Sequence, residues 1–191
     1  MGLSLSKGGN LSLSKEAPGF TKLRVGLGWD IRTTDGAAFD LDACAFMIGA
    51  DGKVRSNGDF AFYGQQATQE GAIKLGGDNR TGAGDGDDET MEVDITKVPA
   101  EVHRIAVCIS IYEADQRRQN FGMVRSSFAR VVDLASNREI GRFDLSEDAS
   151  LDTALIFAEI YRHNGEWKFK AIGQGFAGGL GPLARNFGVD I

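Results

Sequence analysis

Cysteine, histidine and proline are all scarce: two, two and three residues in a chain of 191. Two cysteines exclude a disulfide framework. Cys44 in DACAF and Cys108 in AVCIS sit in apolar alternating runs and read as small buried hydrophobes. The histidines, His103 and His163, are the only obvious general bases, and spacing assembles no nucleophile, base and orienting group around either, so no enzyme is expected. No apolar run approaches the length of a membrane span. The opening MGLSLSKGGNLSLSK lacks an apolar core of signal-peptide length, so a cytoplasmic protein is expected. A basic stripe is missing too. The formal charge is -6, which argues against nucleic acid as a partner.

With 42% hydrophobic residues and 12 Phe, the chain has enough apolar material for one core, and residues 1–191 are expected to form a single domain. Alternation with period two dominates. In KLRVGLGWD, Leu23, Val25, Leu27 and Trp29 fall on one face; FDLDACAFMI sets Phe39, Leu41, Ala43, Ala45 and Met47 against Asp40 and Asp42. HRIAVCISIYE (103–113) is apolar on both faces and suits a central strand. Residues 59–63 and 71–75, EVDI from 92, MVRSSFARVVD and REIGRFDL add further strands. ALIFAEIYRHNGEWKFKAIG places an N-G turn between two runs, a hairpin signal, and IGADGKV carries a D-G pair of the same kind. SLSKGGNLSLSK reads as a hairpin about Gly8–Asn10. Helices are expected at ADQRRQNF and in GGLGPLARNFGV, where Pro182 and Gly188 mark start and stop. The fold class is therefore all-β: a β-sandwich of two mainly antiparallel sheets with a few short helices, one near the C-terminus.

The charge is concentrated. GDNRTGAGDGDDE (77–89) holds Asp78, Asp85, Asp87, Asp88 and Glu89 against Arg80 alone, a local sum of -4, so the other 178 residues carry -6 - (-4) = -2. Hard divalent cations take six to eight oxygens from carboxylates and carbonyls on a backbone that can curl. Asp supplies short carboxylates, Asn79 a neutral oxygen, and four glycines the conformational freedom. The absence of Cys and His points to Ca²⁺ rather than Zn²⁺. A phosphate loop is excluded by the repulsion of five carboxylates. An EF-hand is excluded by Arg80 at the third position and Ala83 where glycine is needed. The competing reading is a solvated acidic turn. Asp40 and Asp42, two apart on a strand, are expected to project from one face about 7 Å apart and to clasp one ion or a close pair. Asp30 follows Trp29 and is a further candidate, as is Glu147 in SEDAS.

SLSKGGN, VGLGWD, FDLDA, GDNRTGAGDGDDE, QRRQNFG, EDAS and YRHNGEWKFKAIGQGF, in that order, resemble the TerD family of bacterial tellurite-resistance and stress-response proteins. The resemblance runs from Ser4 to the expected C-terminal helix. It implies a cytoplasmic β-sandwich that binds calcium, more than one ion, with no established enzymatic reaction and other proteins of the same stress-response system as partners. The calcium role carries over to Asp40, Asp42, Asp78, Asn79, Asp85, Asp87, Asp88 and Glu89, and extends to Asp30 and Glu147. A calcium-responsive binding module is the leading expectation. The alternative is a calcium-dependent phospholipid-binding sandwich. It is disfavoured because the acids have Gly, Thr and Ala as neighbours rather than basic or large apolar residues.

Overall fold

A computed structural model describes residues 2–31, 39–78, 86–145 and 151–191. Among them are twelve strands in two six-stranded sheets. In chain order these are β1 (Leu3–Leu5), β2 (Asn10–Ser12), β3 (Lys22–Ile31), β4 (Leu41–Ile48), β5 (Phe60–Ala61) and β6 (Ile73–Asp78). They continue as β7 (Glu89–Asp94), β8 (Arg104–Ile111), β9 (Val124–Asp133), β10 (Arg138–Asp144), β11 (Ala154–His163) and β12 (Glu166–Phe176). The helices are α1 (Leu13–Glu16), α2 (Ala114–Arg117) and α3 (Leu180–Asn186). One sheet has the order β1-β10-β9-β3-β7-β6 and the other β2-β12-β11-β8-β4-β5. Every pairing is antiparallel except β1 with β10.

Side-chain alternation dictates how the sheets stack. Leu23, Val25 and Leu27 of β3, Met91 and Val93 of β7, and Ile105, Val107 and Ile109 of β8 meet in the inter-sheet core, each at most 1% exposed. Fully burying a side chain of this size stabilises the fold by roughly 1.5–3 kcal/mol. β8 lies between β11 and β4, the central position expected of a strand apolar on both faces. Its other face, with Ala106 and Cys108, joins Cys44, Phe46, Ile48, Phe60 and Ile156 in a second cluster covered by Leu183, Ala184 and Phe187 of the α3 segment. The second sheet is thus covered on both sides beneath α3, while farther along its outer face carries the Arg104–Glu159 ion pair. The outer face of the first sheet instead carries Arg24, Lys74, Thr90, Glu92, Arg130 and Glu139.

The expected β11–β12 hairpin forms, with Asn164 and Gly165 both at positive φ (50° and 74°), as a two-residue turn of this hand requires. The expected N-terminal hairpin does not. β1 pairs in parallel with β10 in one sheet, and β2 pairs with β12 in the other. The identical LSLSK runs at 3–7 and 11–15 find partners on different sheets because Gly8 and Gly9 carry the chain across the sandwich edge, where Gly8 N–H donates to Ala171 O. The D-G pair at 51–52 does turn, with Gly52 at φ 79°. The strand expected after it does not form; Val54 N–H instead donates to Phe187 O and ties the turn to the C-terminal segment.

Candidate functional site

Strand directions bring the acidic segment to one end of the first sheet. β7 runs antiparallel to both β3 and β6, so the end of β3, the end of β6 and the start of β7 coincide, with Glu89 opposite both Leu27 and Asp78. Gly86 (φ 148°) leads into Asp87, Asp88 and Glu89, of which the first turns outward and the other two are buried.

Asp87 turns to the outer face. Arg130 Nε donates to its Oδ1 at 2.6 Å and Nη2 to its Oδ2 at 3.1 Å, while Nη1 of the same guanidinium reaches Glu139 at 3.4 Å. Asp88 turns inward. Its N–H donates to Leu27 O at 2.8 Å, and its Oδ2 accepts the Trp29 N–H at 2.8 Å, beside the bulge between Gly28 and Asp30 in the pairing of β3 with β9. Asp88 as a residue is only 5% exposed. Burial pushes its carboxyl above the ordinary range; the Trp29 N–H opposes this, and the charges of Asp30 and Asp87 add to the rise. Glu89 shares the inward face of β7 with Met91 and Val93 and is buried. Asp30 is exposed at the end of β3.

The other expected clasp lies on the second sheet. Leu41 and Ala43 face the inter-sheet core, so Asp42 between them shares the outer face with Cys44 and Phe46. Asp42 pairs in register with Ser110. Asp40 precedes β4, and its carbonyl accepts the Tyr112 N–H at 2.8 Å. β4 packs across from β6 and β7. Even so, Asp42 and Asp87 occupy opposite outer faces of the sandwich, while Asp88 and Glu89 are buried between them. Asp78 is fixed by its backbone register opposite Glu89. Asn79, Asp85 and Glu147 lie outside the described residues. Among the described residues no three His, Cys, Asp or Glu side chains converge in a ligating group.

Sequence reasoning missed Arg130, the partner of Asp87. Alternation in FARVV places it outward, but only the register of β9 against β3 brings it beneath residue 87. It also treated His103 and His163 separately, whereas both line one cleft with Arg162 and Trp167, at the β11–β12 turn. Cys44 and Cys108 are register partners on β4 and β8, both buried, and burial raises the Cys108 thiol well above its usual value.

The TerD domain family model matches residues 1–187. The chain belongs to the TerD family. It is 52% identical over 190 residues to the tellurium resistance protein TerD of Serratia marcescens, covering 100% of this chain and 99% of that one. It is 47% identical over 192 residues to general stress protein 16U of Bacillus subtilis (strain 168), covering 100% of both chains. A crystal structure of a Streptomyces coelicolor homologue of telluride resistance protein (TerD) superimposes with a TM-score of 0.70 at 24% identity, covering 89% of this chain and 97% of that one. That likeness establishes the shared sandwich. The chain is thus a member of a tellurium-resistance and stress-response family. Among the described residues, no helix of this TerD-family chain is long and apolar enough to cross a membrane.

The donor set of the acidic segment suits one kind of metal. It offers carboxylate oxygens, two of them on buried side chains, with no thiolate or imidazole from His103, His163, Cys44 or Cys108 nearby in sequence. Such a set fits a hard cation rather than a soft one.

Proposed function

We propose that this TerD-family protein is a cytoplasmic, non-catalytic calcium-responsive binding module of the tellurium-resistance and stress-response type. The observation that carries the reading is Asp88. A carboxylate on a residue only 5% exposed, close enough to Asp30 and Asp87 to feel their charge, is costly to keep ionised, and a divalent cation offsets that cost. Because no three carboxylates converge among the described residues, calcium would have to draw Asp88, Glu89, Asp30 and Asp78 together with Asn79 and Asp85 from the same segment. Asp40, Asp42 and Glu147 are the candidates for a second ion. Calcium would neutralise the carboxylates at this end of the sandwich and so present a changed surface to other proteins of the same stress-response system.

Thermal melts test the proposal. A ligand that binds only the native state adds RT ln(1 + [L]/Kd), about 2.7 kcal/mol at a hundredfold excess over Kd. Melting temperature is expected to rise clearly with Ca²⁺ and little with Mg²⁺. Superimposable melts with chelator and with calcium would refute the calcium reading.

A further inference from the structure

The outer face of the second sheet carries a file of aromatic rings. Phe187 packs on Phe46 with centroids 4.7 Å apart, Phe46 stacks on Phe60 at 4.3 Å, and Phe60 stacks on Phe62 at 4.5 Å. Tyr63 meets Phe62 at 5.2 Å and Tyr112 at 6.1 Å, edge-on both times. The file begins buried under α3 and ends in the open, with Tyr63 55% and Tyr112 38% exposed. At that open end lies a cleft of about 280 Å³, lined by the two tyrosines, Asp42, Glu113, Asp115 and the Gly178–Gly179 backbone.

Two perpendicular rings with carboxylates around them form a recognition element for a cation that offers both a flat face and N–H donors. The chain already shows the chemistry. The Arg117 guanidinium lies 5.3 Å from the centre of the Tyr112 ring while its Nη2 reaches Glu113 at 3.4 Å. Arg117 does not line the cleft, which leaves Tyr63, Asp115 and the inner side of Tyr112 to a second group. The segment presenting these side chains is held in an unusual shape. Glu113 and Arg118, on either side of α2, are both non-glycine residues at positive φ (50° and 52°). The Tyr112 N–H to Asp40 bond and the Gln119 N–H to Ala114 O bond pin the segment.

We propose that this cleft is a binding site for the guanidinium group of an arginine-bearing ligand, seated between Tyr63 and Tyr112 with Asp115 and Glu113 as its hydrogen-bond acceptors. The proposal does not rest on calcium binding. Asp42 is the one residue common to both sites, so the test is run in chelator.

The full chain, isotopically labelled, is titrated with N-acetyl-arginine methylamide and followed by amide chemical shifts. Saturable shifts confined to Tyr112, Glu113, Asp115, Gly178 and Gly179 are expected, with the lysine analogue weaker. Y63A and D115N should each weaken binding about five-fold, the scale of one lost cation–π or charged contact, and Y63F should restore it. The unchanged remainder of each variant's spectrum shows that it is folded. Absence of saturation, shifts centred elsewhere, equal affinity for the lysine analogue, or indifference to Y63A overturns the proposal. A short glycine-serine peptide carrying one arginine identifies the source. Tighter binding of the peptide assigns a protein segment, and equal binding assigns a small molecule; both support the seat.

Discussion

The Arg130 guanidinium straddles the Asp87 carboxylate, and the pair lies across β3 directly over Gly26. A Cβ at position 26 would stand 2.2 Å from the Asp87 carboxyl carbon, so no other residue leaves room for this ion pair. Gly26→Ala is expected to destabilise the protein by roughly 1–3 kcal/mol, the usual scale for forcing extra volume into a packed site. Denaturant unfolding measures the loss. A midpoint equal to that of the unmodified protein would show that Asp87 is not held where it is described.

Asp88 makes the opposite prediction. Because burial raises its carboxyl in the folded protein, the calcium-free fold binds that proton more tightly than the unfolded chain does. Stability therefore falls as pH climbs from the ordinary carboxylate range through the raised value. Asp88→Asn keeps an oxygen for the Trp29 N–H and removes the ionisation. In chelator its melting temperature at neutral pH should equal or exceed that of the unmodified protein, with a flatter acid-side profile. With calcium present the variant should lose most of the calcium-induced rise. A variant that melts lower in chelator yet keeps its full response to calcium would show Asp88 to be a structural residue only.

Cys44 and Cys108 lie beneath Leu183, Ala184 and Phe187. The Cys108 thiol, kept protonated by burial, is a poor nucleophile. A thiol reagent should label neither cysteine in the native protein and both in denaturant. Phe187→Ala, which thins the cover, should speed native labelling several-fold. Rapid labelling of the unmodified protein would instead make the pair accessible to oxidants, and measuring the rate decides the point.

How much was legible in the sequence depended on how local each feature was. Alternation gave β3, β8, β9 and the β11–β12 hairpin, because a period of two and an Asn-Gly turn are properties of adjacent residues. The same reasoning put SLSKGGNLSLSK into a hairpin and missed that its halves pair with β10 and β12, since a sequence cannot show which distant strand edge lies open. The site followed the same division. The acidic density of 77–89 was plain, as was the outward alternation of Asp42. That the neighbours Asp88 and Glu89 are both buried was not, because alternation alone would turn one of them outward, and Asp88 is held by the Trp29 N–H of another strand. Tyr63 and Tyr112 carried no sequence signal at all. They lie in separate segments and meet only through the packing of β5 and β8 on either side of β4.

The N-terminal strap has a consequence in time. Leu3 must wait for Gly141, and Leu11 for Phe169, before either can pair. Both segments leave the ribosome long before their partners and are therefore among the last to find their places, and until they do the edges of β10 and β12 stand open. A nascent chain of this architecture covers one edge of each sheet late, with strands made more than a hundred residues before their partners.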